Sequence, residues 1–139
     1  MEKVKIKITT TQSTDFAGNE DVIELVTEAY LELKDDYILI DYDESDITEN
    51  KNTRSRLKIY KDKMIMTKMG DISTRMEFEQ DKSFINPYTT PYGTFDLDFF
   101  TINYYNELDK NGKGSLYIRY KISFAGSDES LNDITIDIL

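Results

Sequence analysis

Asp96 and Asp98 stand two positions apart in Thr94-Phe95-Asp96-Leu97-Asp98-Phe99, a stretch that alternates polar and apolar residues. Two carboxylates on one strand face are able to hold a hard cation or to divide acid and base work. In an acidic chain they fit the wet face of a half-buried strand equally well. Asp41-Tyr42-Asp43-Glu44-Ser45-Asp46 places four carboxylates in six residues. It lacks the sharp glycine turn and terminal Glu of a calcium loop, so a solvated loop is expected. Asp109-Lys110-Asn111-Gly112 begins like a calcium loop and lacks the rest, which makes it a hairpin turn. The arginines, Arg54, Arg56, Arg75 and Arg119, all fall opposite the apolar face of strand-like stretches. Pairing with Asp and Glu across strands is the simple expectation. If two of them converged, they would hold an anionic group through parallel hydrogen bonds.

The chain contains no histidine and no cysteine. That removes the usual general base, the Ser-His-Asp triad, the His-bound zinc site, the thiolate nucleophile and the disulfide. Only carboxylate, tyrosine and arginine chemistry remains. A non-enzymatic protein without cofactor or metal is therefore expected.

The ten tyrosines and seven phenylalanines carry more information. Tyr42, Phe78, Phe95, Phe99, Tyr120 and Phe124 share the apolar parity of their strands. They could simply fill a small barrel. They could also line a cavity in which tyrosine hydroxyls serve as polar handles. Thr27, Tyr42 and Tyr120 put hydroxyls on otherwise apolar faces, and buried hydroxyls need partners. This favours a cavity that holds a ligand or water. The residues expected to touch a small apolar or amphipathic ligand are Tyr42, Arg75, Phe78, Tyr88, Tyr92, Phe99, Arg119 and Tyr120.

The elements that must position these residues are short strands. Val4, Ile6 and Ile8 alternate with Lys3, Lys5 and Lys7. Strands follow at Tyr37 to Tyr42, Arg54 to Tyr60, Lys63 to Met69, Ser73 to Glu79 and Ser83 to Tyr88. A strand from Thr94 runs on to Tyr105 or breaks near Asn103. Leu116 to Phe124 alternates most cleanly, and Ile134, Ile136 and Ile138 close the chain. Asp21 to Leu33 fits two periods. As a strand it points Ile23, Leu25, Thr27, Ala29, Leu31 and Leu33 one way. As a helix it groups Val22, Ile23, Val26, Ala29, Tyr30 and Leu33, and propensity slightly favours the helix.

Both prolines, Pro87 and Pro91, lie in one stretch of fifteen residues from Asn86 to Phe100. Neither belongs inside a fully paired central strand. This stretch is expected to be a corner between two halves of the molecule, with Tyr88 and Tyr92 at the mouth of a cavity.

Nine or ten strands with tight turns describe an all-β protein: a single antiparallel barrel or sandwich domain spanning residues 1–139. Net charge is −10, which opposes binding to nucleic acid and to anionic membrane surfaces. No apolar run reaches membrane-spanning length. The N-terminal Met1-Glu2-Lys3-Val4-Lys5 has no signal-peptide core. A cytoplasmic location is the plain expectation.

The order of motifs resembles a known family. Val4-Lys5-Ile6-Lys7-Ile8 and Asp21-Val22-Ile23-Glu24-Leu25-Val26-Thr27-Glu28 come first. Ser73-Thr74-Arg75-Met76-Glu77-Phe78 and Thr90-Pro91-Tyr92-Gly93-Thr94 follow. Together they resemble the YwiB-like family of small bacterial proteins, whose function is unknown and whose fold is a calycin-type, lipocalin-like β-barrel. The resemblance runs over nearly the whole chain and implies a strand at Asp21 to Leu33. It supplies no substrate, and the Gly-x-Trp opening of secreted lipocalins is absent because there is no tryptophan. The expected function is binding of a small apolar or amphipathic ligand inside the barrel. The alternative is a structural or interaction module, such as a homodimer formed through an edge strand or through Tyr104, Tyr105 and Tyr117.

Overall fold

The computed structural model describes residues 1–13, 20–43, 53–70, 73–124 and 128–139, without the side chains of residues 20, 88–90, 124 and 128. Ten strands run in chain order: β1 (Glu2–Ser13), β2 (Glu20–Leu33), β3 (Ile38–Asp43), β4 (Arg54–Ile59), β5 (Lys63–Met69), β6 (Thr74–Glu79), β7 (Ser83–Thr90), β8 (Gly93–Asn106), β9 (Gly114–Phe124) and β10 (Asp128–Ile138). All are antiparallel neighbours in one sheet of order β6-β5-β4-β3-β2-β1-β10-β9-β8-β7. The sheet curls until β6 meets β7 and β8, so the barrel is nearly closed. Among the described residues, no helix is long and apolar enough to cross a membrane.

Alternation builds each wall. In β1, Val4, Ile6 and Ile8 are buried while Lys3 and Lys5 are exposed. In β10, Ile134, Ile136 and Ile138 are buried. One face of each of these two strands thus removes branched apolar side chains from water. Asp21 to Leu33 is a strand, as the family resemblance implied. Its register against β1, with Ile8 opposite Leu25 and Ile6 opposite Thr27, supplies the partner that propensity cannot see.

The Pro87–Pro91 stretch corrects the expectation of a corner. It is the tip of the β7–β8 hairpin, with Tyr88 paired to Phe95 and Thr90 to Gly93. β7 is an edge strand, and that is where a proline can sit without breaking a ladder. Gly93 takes φ 131° in the turn. β8 runs through to Asn106, but its register shifts between Thr101 and Asn103. The bulge reverses parity, so that Phe99, Thr101 and then Tyr104 all face inward.

The barrel has one stoppered end. Asp109 accepts the N–H groups of Asn111 (2.8 Å) and Lys113 (3.0 Å), which shapes the turn between β8 and β9. Gly112, at φ 79° and buried, lies against Leu31 and Ile38. Leu108 packs on the core beside it. Above this stopper Ile6, Leu31, Ile40, Leu57, Met64, Phe78, Leu116, Ile118 and Ile136 fill the cross-section, all essentially inaccessible to water.

Candidate functional site

Among the described residues the opposite end is not filled. A pocket of about 400 Å³ opens there, lined by Ile8 and Thr10 of β1, Ile23, Glu24 and Leu25 of β2, Tyr42 of β3, Met66 and Lys68 of β5, Met76 of β6, Tyr120 of β9 and Ile134 of β10. That volume lies within the roughly 300–1,000 Å³ of small-molecule sites. The lining is mostly aliphatic, with unbranched methionines that adapt to irregular shapes. Lys68 and Glu24 bring opposite charges to the rim.

Tyr120 supplies the polar handle. It is 6% exposed, and its ring is clamped between Phe78 at 4.8 Å and Phe99 at 6.1 Å. The same residue lines the pocket. No hydrogen bond joins its hydroxyl to any described residue. Burial, with a smaller contribution from the charge of Asp133, pushes that hydroxyl up to about 12. It is therefore a neutral O–H donor at physiological pH, facing an apolar space. Such a group can donate to water or to an acceptor atom of a ligand in the pocket.

The structure separates the expected site residues. Phe78, Phe99 and Tyr120 come together as a cluster below and beside the pocket, with Phe78 and Phe99 edge-to-face at 6.3 Å. Tyr42, 3% exposed, lines the pocket. Arg75, Arg119 and Tyr92 are not in the interior, which corrects their grouping with the others. Arg75 faces outward, 3.5 Å from Glu77 and with its guanidinium 5.7 Å from the Phe84 ring. Arg119 also faces outward. Its Nε donates to Asp133 at 2.9 Å, and the Tyr117 hydroxyl donates to the same oxygen at 2.6 Å. Odd parity on β6 and β9 puts both arginines opposite the buried Phe78 and Tyr120. Tyr92 sits in the hairpin turn, 93% exposed. The Tyr88 side chain lies outside the described residues.

Two arginines do converge, but they are Arg54 and Arg56. They donate to Asp41 Oδ1 and Oδ2 at 3.1 and 3.2 Å, so the anion they hold is the chain's own. Asp96 and Asp98 are exposed on the outer face of the hairpin. Residues 44–46 of the acidic stretch lie outside the described residues. Among the described residues, no group of three or more acidic side chains is arranged to hold a metal ion.

Sequence reasoning missed the aliphatic lining. Met66 and Met76 carried the available signal: both share the inward parity, and they pair directly with one another across β5 and β6.

A family model described as Domain of unknown function (DUF1934) matches residues 6–136. The chain belongs to that family. The crystal structure of ywiB protein from Bacillus subtilis is similar over 97% of this chain and 90% of that one, with TM-score 0.73 and 18% identity. At that identity the likeness shows the fold alone. No curated protein matches the sequence. The DUF1934 match spans every strand from β1 to β10, including both pocket walls.

Proposed function

We propose that this DUF1934 domain is a non-enzymatic binding protein that holds a small apolar or amphipathic ligand in the open end of its barrel. The observation that carries this reading is the mostly apolar pocket of about 400 Å³, with Tyr120 in its lining and no hydrogen bond from the Tyr120 hydroxyl to any described residue. An apolar body would cover Ile8, Leu25, Met66, Met76 and Ile134, and one acceptor atom would receive the Tyr120 proton.

The test is native mass spectrometry of gently purified protein, together with titration by the fluorescent apolar probe N-phenyl-1-naphthylamine. A small-mass adduct, and probe binding lost in Met76→Trp, support the reading. A bare mass with no probe binding overturns it.

A homodimer is the second reading. Val22, Val26 and Tyr30 project from the outer face of β2 and are 59%, 49% and 48% exposed. Tyr104 does not contribute to a surface patch, because it is buried at 8%. Sedimentation that shows a monomer at high concentration removes this reading.

A further inference from the structure

The outer faces of β1 and β2 form one strip. In register its facing pairs are Lys3 with Tyr30, Lys5 with Glu28, Lys7 with Val26, Thr9 with Glu24 and Thr11 with Val22. The apolar members on β2 recur at every fourth position and are about half exposed. The charged members are Lys3, Lys5 and Lys7 against Glu24 and Glu28. Within the chain Lys3 meets Glu28 at 2.8 Å and Lys7 approaches Glu24 at 3.8 Å. Lys5 is exposed and has no ion-pair partner among the described residues. Two copies that each carry −10 repel one another. A strip with three cations to two anions relieves that repulsion where it is the meeting face.

Two arrangements lay this strip on its own copy about a two-fold axis. An axis across the strands sets β1 on β1 and β2 on β2, so the lysine row meets itself. An axis along the strands, midway between β1 and β2, sets each β1 residue over its own register partner in the second copy. Lys5 then faces Glu28 of the second copy, and Glu28 faces its Lys5. The Lys3 ammonium meets the Tyr30 ring, and the Lys7 stem covers Val26. No like charges face one another in any of the five pairs.

We infer that two copies of this chain associate through this strip, with the axis along the strands. This rests on the homodimer reading and adds the partner strand, the axis and the charge pairs that fix it.

The experiment is sedimentation equilibrium of the wild type, Val26→Lys, Lys5→Glu, Glu28→Lys and an equimolar mixture of the last two, with circular dichroism to establish that each is folded. The wild type is expected to dimerise. Val26→Lys sets a lysine against Lys7 of the second copy and is expected to weaken the dimer about tenfold or more. Lys5→Glu and Glu28→Lys each bring like charges together twice per dimer, and each alone is expected to weaken it about tenfold. In the mixture every altered charge meets its opposite, and affinity is expected to return to within about twofold of the wild type. A mixture no tighter than its components overturns the inference. If Val26→Lys still breaks the dimer in that case, the homodimer through β2 stands and only the arrangement falls. A wild type that stays monomeric at high concentration, or a dimer untouched by Val26→Lys, removes the homodimer reading through β2 and this inference with it.

Discussion

The Tyr120 ring packs 4.8 Å from the Phe78 ring while its hydroxyl remains without a partner among the described residues. One residue thus serves the core through its face and the pocket through its tip. Tyr120→Phe keeps the ring and deletes the tip. Stability at neutral pH is expected to change by less than about 1 kcal/mol, since an unmade hydrogen bond is removed. Affinity for a ligand with one acceptor atom is expected to fall about fivefold or more. The alkaline limb should flatten too. A tyrosine raised from 10.0 to about 12 by burial resists ionisation in the folded chain, so the wild type loses stability as pH rises from 10 to 12 and the Phe variant does not. That loss is roughly 2–3 kcal/mol at full extent. Urea denaturation at pH 7 and pH 11 checks both halves.

Thr101 Oγ1 is fully buried and has no partner among the described residues. The isosteric Thr101→Val removes the unmet group without leaving a hole. It is expected to raise stability by about 1 kcal/mol. A loss of similar size on chemical denaturation would show instead that the hydroxyl is satisfied by bound water.

Tyr104 stitches β8 to the β4–β5 turn. Its hydroxyl is shared between the carbonyls of Tyr60 at 2.7 Å and Lys63 at 2.8 Å. Tyr104→Phe should cost about 1–2 kcal/mol, because the lost donor serves partly buried acceptors. Thermal unfolding of the variant reads this directly. No change in the midpoint would contradict it.

Asp133 is subject to opposing effects. Burial raises its pKa, but the hydrogen bonds from Arg119 and Tyr117 prevail and hold the carboxyl below its ordinary value. A depressed folded pKa means the contribution is present above the unfolded value of 3.8 and lost as pH falls through the folded one. Asp133→Asn should therefore weaken the protein at neutral pH and flatten its stability curve below about pH 4. Thermal midpoints measured from pH 2 to 7 decide this. Parallel acid limbs for variant and wild type would refute it.

Two glycines in the stopper should differ in cost. A Cβ at Gly112, φ 79°, meets the tip of Leu31 at 2.9 Å. A Cβ at Gly114, φ 126°, meets the Glu107 carbonyl oxygen at 2.7 Å. A side-chain tip can move and a paired backbone cannot. Gly114→Ala should therefore cost more than Gly112→Ala, which itself should cost about 1 kcal/mol or more. Equal midpoints in denaturant would show that the β8–β9 connection yields as easily as Leu31.

The sequence alone determined which residues face in. A strand has period two, so Ile6, Ile40, Phe78, Phe99 and Tyr120 declare their faces without knowledge of any neighbour. The same local rule set Arg75 and Arg119 opposite the apolar face, against their grouping with the ligand-binding residues, and the turn chemistry of Asp109 to Gly112 declared the hairpin turn that tertiary packing makes a stopper. The sequence pattern stopped short wherever the answer depended on pairing between distant segments. Strand or helix at Asp21 to Leu33 was decided by a β1 partner. The Pro87–Pro91 stretch became a hairpin because β7 lies at the sheet edge, and Tyr104 turned inward because β8 carries a bulge. The pocket was decided last and only in three dimensions. Among the described residues, side chains of similar size fill the stoppered end and leave a pocket at the other, where the β2–β3 pairing stops at Tyr30 and Asp41. Alternation says which way a side chain points, but whether the space it points into is full depends on how far apart the opposite walls stand.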